Sequence, residues 1–402
     1  MFKSLNFKVI LFGFIFTFFS SFGQSFFIGL FNTSIRESLS ITHGQFGSIY
    51  ASATLLSSFI LIWIVKKIDD MNILKFSSFV IFLLAISCFL FSKISSIIFL
   101  FFSIFLMRLS GQGLMSHAAT TTIARFFEKS RGRALSITWL GLSLAEFILP
   151  LLIVFLLTII EWRNIWLSIS ILIILLLPLI TFFLVKKVNL DSRENSTSKN
   201  KENREIRQWK RIEVLKDYRF YIICLNMLAM PWIATGTFVY QSFISSSKGW
   251  GPYVIAQSFM AYSILSVVTL FFSGFLIDKF SSRKLLIYMN IPLFFSAFVL
   301  FYFNSPISSF LFLGLIGVSN GLANVLGSAT WTEIYGVKYI GSIKALTTAL
   351  MVFSTAFGTA LFGVLIDNKF SISQIALVSG SYILVVTTLL FLIKNKLNPN
   401  YL

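Results

Sequence analysis

Apolar runs of about 20 residues, separated by short polar turns, follow one another along almost the whole chain. They can be marked near residues 7–31, 46–65, 76–92, 97–123, 134–159 and 164–185, and again near 218–244, 252–277, 285–303, 308–334, 345–366 and 374–393. Each is long enough as a helix to cross a hydrocarbon core of about 30 Å. The pattern predicts an all-α integral membrane protein with twelve transmembrane helices in two six-helix bundles, residues 1–185 and 218–402. A basic linker, residues 186–217, joins them. Between Asp191 and Asn203 the linker is built of Asp, Ser, Arg, Glu, Asn, Thr and Lys, a composition that cannot bury a core. From Arg204 to Lys216 it carries Ile206, Trp209, Ile212, Val214 and Leu215 among cations. It is therefore expected to be solvated and held near anionic lipid by charge, in part as a helix lying on the inner leaflet, with a regulatory docking site as the alternative.

Composition agrees with this class. Of 402 residues, 56% are hydrophobic and only 12% charged, against about 25% charged in soluble proteins, and the mean hydropathy is +0.86. The net charge of +18 is distributed by topology. With the N-terminus inside, the inner loops hold Lys66, Lys67, Arg125, Lys129, Arg131, Arg133, the linker, Lys279, Arg283, Lys284, Lys344, Lys394 and Lys396, while the outer loops keep Arg36, Lys93, Arg163, Lys248 and Lys369. That asymmetry places both termini in the cytoplasm, in a bacterial inner membrane. No basic groove or zinc spacing accompanies the charge, so nucleic acid is not an expected partner. The first apolar run is too long for a signal peptide and lacks a small-residue cleavage site, so it reads as the first membrane helix. Cys88 and Cys224 both fall inside apolar runs and read as small buried hydrophobes.

Arg108 and Glu146 are the ionisable residues nearest the middle of long apolar segments. A charge at the bilayer centre costs roughly 2.5 to 3.5 kcal/mol even on lenient scales, so each needs a partner, a water-filled cavity or a ligand. At 1.5 Å per residue Arg108 lies about 16 Å along the fourth segment and Glu146 about 18 Å along the fifth, both near the midplane. They admit three roles. They could be a structural ion pair, a proton-coupling pair in which a substrate that draws Arg108 away leaves Glu146 to take up a proton, or a substrate anchor in which Arg108 holds an anion. Gln112 shares the face of Arg108. In the second half the polar positions are amides and aromatics: Asn320, Asn324, Ser328 and Trp331 in the tenth segment, and Asn226, Trp232, Thr235 and Gln241 in the seventh around Pro231. Gln24 in the first segment and Gln257 in the eighth could complete a polar cavity, while for each residue the competing reading is a helix-to-helix hydrogen bond.

The halves share more than their span count. Arg133-Ala134-Leu135 and Lys344-Ala345-Leu346 open equivalent segments, and Lys67 aligns with Lys279 in the loops after the second and eighth segments. Gly274 to Lys284 reads G-x-L-x-D-x-x-x-x-R-K, and Arg108 to Gly113 reads R-x-x-G-x-G. Together with six plus six spans and a long basic middle loop, these motifs resemble the major facilitator superfamily over the whole chain. The helix 4 to helix 5 region is similar, loosely, to bacterial relatives of monocarboxylate and oxalate/formate carriers. The resemblance implies that Gly274, Asp278, Arg283 and Lys284 form a cytoplasmic gate that opens and closes during alternating access. Glycine would allow close helix approach, and Asp278 would meet the positive end of a helix dipole, with the start of helix 11 as the candidate. The copy after helix 2 has Lys66 at the aspartate position and Met71 at the arginine position, with Asp69 or Asp70 available to compensate. Antiporters of the superfamily carry a run of glycines ending in Gly-Pro in helix 5, matched here only at Gly141 and Pro150.

The expected function is secondary active transport of a small solute by a monomer, proton-coupled, with a small organic anion as first candidate because Arg108 is the one deep cation. No phosphate-cradling loop for nucleotide hydrolysis is present, and no cofactor is implied. Efflux of an amphipathic compound is the second reading, and a non-transporting membrane sensor comes from another class. Neither His43 nor His117 sits in a metal-binding or nucleophile pattern, so enzyme chemistry is not expected.

Overall fold

The computed structural model describes residues 2–65, 68, 71–127, 130–186, 188 and 207–398. Among these are twelve helices long and apolar enough to span a membrane: α1 (Asn6–Gly29), α2 (His43–Val65), α3 (Ile73–Ser92), α4 (Ile97–Phe126), α5 (Arg131–Leu156), α6 (Trp162–Val185), α7 (Tyr218–Val239), α8 (Pro252–Phe280), α9 (Ser282–Tyr302), α10 (Pro306–Tyr335), α11 (Ile340–Asp367) and α12 (Ile372–Leu392). Helix is the form these segments take because hydrocarbon offers no hydrogen bonds, so each backbone group must be satisfied within its own segment. Local sequence fixes the ends. Asn72 and Ser96 side chains accept backbone N–H groups at the starts of α3 and α4, Ser371 and Gln374 close a capping box on α12, and Pro252 and Pro306 stand in the first turns of α8 and α10.

The chain divides into two compact units. One comprises Met1–Ser196 with Phe238–Ser242, the other Thr197–Thr237 with Phe243–Leu402. In the first, α1 lies directly on α5. Gly141 sits so close to Phe14 O that a Cβ would collide with it, and Thr17 Oγ1 donates to Thr138 O at 2.5 Å. Trp166 of α6 is fully buried among Phe27, Phe31 and Phe91, with ring centroids 5.3, 5.0 and 4.4 Å away. Residues 238–242 belong to this unit, where Gln241 Nε2 donates to Phe26 O (2.8 Å) and Asn32 Nδ2 donates to Val239 O (2.9 Å).

In the second unit α7 lies on α11 in the same manner: Gly358 faces Trp232 O with no room for a Cβ, and Ser354 Oγ donates to Leu228 O (2.8 Å). Asn226 and Asn290 are fully buried. Asn290 Nδ2 donates to Asn226 O at 2.6 Å, so this pair joins α7 to α9 as a helix-to-helix bond.

The stretch read as linker departs from expectation in its last third. Residues 207–217 are part of the second unit rather than a solvated connection. Trp209 is buried, Val214 fully so, and both join a core with Phe220, Trp331, Ile334 and Tyr335. Trp209 N donates to Tyr335 O (3.1 Å). The short helix Arg211–Leu215 forms here because its own Val214 and the preceding Trp209 have a core to enter. Residues 189–206, with the polar stretch, lie outside the described residues, as do Lys66, Lys67, Asp69, Asp70 and Lys129.

Close helix approach at Gly141 and Gly358 carries a stability prediction. Gly141→Leu and Gly358→Leu should each destabilise by about 1–3 kcal/mol through overpacking, read as a lowered unfolding temperature in detergent. Gly274→Ala should leave it unchanged, since nothing lies within 4 Å of a Cβ there.

Candidate functional site

Helix α1 is interrupted about two-thirds of the way along. Its first part ends at Ser20, Ser21–Gly23 make a tight 3₁₀ turn, Gln24 is extended (φ −85°, ψ 153°), and the helix resumes at Ser25. Opposite this break, α4 widens into a π-helical stretch over Arg108–Met115. The two irregular segments touch through glycine: a Cβ on Gly111 would stand 2.7 Å from both Cα and N of Gly23. π-helical turns are rare and concentrate at functional sites, and a broken helix inside a membrane is tolerated where other groups satisfy the freed backbone.

Arg108 supplies that satisfaction. The residue is 3% exposed, and one terminal nitrogen of its guanidinium donates to Gly23 O (3.1 Å) and to Ser25 Oγ (3.3 Å). The Tyr50 hydroxyl of α2 donates to the same Ser25 Oγ at 3.1 Å. The Tyr50 ring lies under the guanidinium, 5.3 Å from its centroid. Arg108 Nε is buried and has no hydrogen-bond partner, and the Ser25 hydroxyl donates to no acceptor among the described residues. The cluster therefore holds a full positive charge and spare N–H and O–H donors, with one carbonyl and one hydroxyl oxygen as acceptors.

Glu146 of α5 is 9% exposed. It forms no ion pair or hydrogen bond among the described residues, so of the three roles the sequence leaves open the structure does not display the ion pair with Arg108. The positive cluster and the acid are separate features of one unit. Gln24 and Gln112 are half-buried beside the cluster; Gln24 is the extended residue of the α1 break, and Gln112 N lies against Gly23.

In the second unit, the expected polar face is largely committed to packing. Asn320 Nδ2 donates to Ser266 Oγ of α8 (2.9 Å). Trp331 is 2% exposed and packs against Phe220 and nearly parallel to Tyr335, centroids 5.4 and 6.1 Å away. It is a core residue rather than a lining one, because its helix face turns toward the docked strap. Asn324 is exposed and Thr235 buried; the Ser328 side chain lies outside the described ones.

The motif Gly274 to Lys284 also differs from expectation. Gly274 permits no close helix contact here. Asp278 is exposed and makes no hydrogen bond or ion pair among the described residues, so it is not seen capping helix 11. Arg283 carries the connection instead. Its Nε lies 3.0 Å from Glu333 Oε1 of α10, and a terminal nitrogen donates to Asn398 Oδ1 (2.8 Å). The other Glu333 oxygen accepts Ser282 N (2.9 Å) and Ser282 Oγ (2.5 Å), placing a carboxylate at the start of α9 where the helix dipole favours it. Lys284 is exposed.

Sequence reasoning missed Ser25 and Tyr50, which lie 83 and 58 positions from Arg108 and carry no motif. It also missed a buried pair, Asp217 and Arg219 (2.8 Å), in which Arg219 further donates to Lys396 O (2.9 Å) and Tyr335 OH donates to Asp217 Oδ2 (3.0 Å). The available signal was the run Asp217-Tyr218-Arg219 at the mouth of an apolar segment.

Known proteins share this fold. A model of the Major Facilitator Superfamily matches residues 13–358, and again 221–400. Among solved structures, a bacterial homologue of the human lysosomal transporter Spinster, inward-facing and unoccupied, superposes with a TM-score of 0.72 at 14% identity, covering 98% of both chains. The nucleoside transporter NupG superposes with a TM-score of 0.72 at 13% identity, covering 97% of this chain and 98% of its own. Identities this low show a shared fold alone. No curated protein sequence matches the chain. With the family model spanning most of its length, the twelve-helix chain belongs to the Major Facilitator Superfamily.

Proposed function

We propose that this transporter is a proton-coupled carrier of a small organic anion, working as a monomer in a bacterial inner membrane with both termini in the cytoplasm. The observation that carries the reading is the Arg108 cluster: an arginine 3% exposed, with an unpartnered Nε and no carboxylate paired to it among the described residues. A buried charge is tolerated in a membrane when something compensates it. A carboxylate bound at Arg108 would supply both the missing negative charge and the missing acceptor atoms, and a planar carboxylate matches the guanidinium fork. Tyr50 and Ser25 hold the fork in place and offer a hydroxyl to the ligand. Gln24 and Gln112 stand beside it.

Glu146 carries the proton in this reading. It stands on a helix packed against α1, the helix that Arg108 contacts through Gly23 and Ser25. An acid with no cation partner can gain and lose a proton without dismantling an ion pair, which suits a coupling site. Charge compensation gives the sequence of events: anion binding cancels the charge of Arg108, and protonation of Glu146 lets the loaded carrier reorient with less net charge in hydrocarbon.

The test is proton flux in proteoliposomes with an internal pH dye, challenged with carboxylates, sugars, nucleosides, amino acids and lipophilic cations. A carboxylate-evoked proton signal is expected for the wild type. Arg108→Gln should reduce carboxylate transport by about 30-fold or more, as loss of a charge-assisted contact of 2–5 kcal/mol implies, with Arg108→Lys intermediate because the fork is lost. Glu146→Gln should abolish the proton signal while labelled anion still binds. Transport of a neutral or cationic solute, unaffected by Arg108→Gln, would overturn the reading and favour efflux.

The gate carries its own prediction. Glu333→Gln should lower the unfolding temperature, by the equivalent of about 1–3 kcal/mol, because it weakens Arg283 and the start of α9 together. Asp278→Asn should stay within about 0.5 kcal/mol of wild type.

A further inference from the structure

At the end of the second unit where α7 begins, residues 207–217 form an ordered strap. Trp209 and Val214 fix it from beneath. Both of its acids are occupied: Asp217 is paired with Arg219, while Glu213 Oε2 accepts Lys210 N (2.7 Å) and Arg207 donates to Glu213 Oε1 (2.8 Å). That N–H, and then the Arg207 guanidinium, hold the Glu213 carboxyl below the usual carboxylate range. Arg207 is also stacked over Trp209, 4.4 Å from the ring centroid. One cation and one anion of the strap thus cancel.

Three cations are left over. Lys210, Arg211 and Lys216 are exposed, and their side chains have no hydrogen-bond or ion-pair partner among the described residues. Interleaved with them stand two apolar side chains, Ile212 (69% exposed) and Leu215 (38%), and two tyrosines of the adjoining first turn of α7, Tyr218 and Tyr221 (each 50%). The Tyr221 hydroxyl donates to Leu215 O (2.8 Å), tying the strap to the helix that enters the apolar span. The sequence of environments is therefore fixed: membrane helix, tyrosines, exposed aliphatics and unpaired cations within fifteen residues. Aliphatic and tyrosine side chains at that level match the boundary between acyl chains and headgroups, and cations there match headgroup phosphate.

We propose that residues 207–221 are a docked binding surface for anionic phospholipid, in which Lys210, Arg211 and Lys216 hold the headgroup while Ile212 and Leu215 enter the acyl boundary. Charge complementarity selects this occupant: the surface has three positive charges and no free negative one. Because the strap is already ordered against the protein, lipid binding requires no folding of a free segment, unlike a flexible basic linker. The proposal is independent of what the carrier transports.

The full-length protein, extracted into mild detergent and titrated with phosphatidylglycerol or phosphatidylcholine, is read by native mass spectrometry as the ratio of bound lipids. Wild type should prefer phosphatidylglycerol. At about fivefold per cation near an anionic surface, Lys210→Gln/Arg211→Gln/Lys216→Gln should cut that preference at least tenfold. The charge-retaining Lys210→Arg/Arg211→Lys/Lys216→Arg should keep it, which separates binding from misfolding. Lys75→Gln/Lys284→Gln/Lys369→Gln, with the same change in net charge at exposed positions elsewhere, should also keep it. An unchanged preference in the first variant, or an equal loss in the last, would overturn the proposal.

Discussion

Hydrocarbon leaves no backbone carbonyl to water, and that constraint organises the first unit. The break in α1 takes Gly23 O out of its helical ladder, and Arg108 donates to it at 3.1 Å. One side chain then serves two demands, since the carbonyl dipole also offsets part of the guanidinium charge. The close contact of Gly23 with Gly111 brings the break within reach of the arginine, and the widened turn of α4 begins at Arg108 itself. None of these features is stable without the others. A straight α1 would offer no free carbonyl at this depth, and without the carbonyl the arginine would keep only the Ser25 hydroxyl and the Tyr50 ring. What the arrangement leaves uncompensated is the net charge, and a charge without a fixed counter-ion is where a mobile anion has most to contribute.

Much of this was legible in sequence, for physical reasons that differ from residue to residue. Span number and boundaries follow from hydropathy because the bilayer imposes a length. Arg108 and Glu146 stood out because charge is rare at that depth. Their failure to pair was not legible, since helical counting places residues along an axis but does not say which neighbouring helix each faces. Tyr50 and Ser25 were invisible because hydroxyls are cheap in membrane helices and usually bond to their own turn. Trp331 was misread for a related reason: an aromatic at helical spacing with asparagines looks like a cavity face until the docked strap, 122 residues earlier, covers it. The strap itself was discounted because composition dominates a linker reading, yet two apolar side chains, Trp209 and Val214, suffice to anchor it when a core is waiting.

The segment Gly274 to Lys284 shows the limits of carrying roles over by pattern. Aspartate and arginine stand at the spacing of the superfamily motif, but Asp278 is exposed and unbonded while Arg283 reaches across to Glu333 and to Asn398. The electrostatic task, a carboxylate at the start of a helix with a guanidinium beside it, is performed by Glu333 on α9. The same end of the unit holds the Asp217 and Arg219 pair with the carbonyls of residues 396 and 398. The strap, the loop carrying Arg283 and residues 396–398 are therefore joined by one network of ion pairs and hydrogen bonds.

The two halves also explain each other's chemistry. Arg108-Leu109-Ser110-Gly111 aligns with Gly317-Val318-Ser319-Asn320 on the shared serine. The alignment has structural support: Ser110 Oγ lies 3.1 Å from Ser87 Oγ of α3, and Ser319 Oγ donates to Met289 O of α9 (3.0 Å), the third helix of its own half. At the place of Arg108 the second half has Gly317, which sits against Tyr262 O with no room for a Cβ. The same position thus holds either a cation facing a broken helix or a glycine closing two backbones together. A side chain as long as arginine cannot occupy the second arrangement, and a glycine cannot satisfy the carbonyl in the first. Divergence at this one position is enough to put a buried cation against the broken helix of the first unit and a backbone-to-backbone contact at its counterpart in the second.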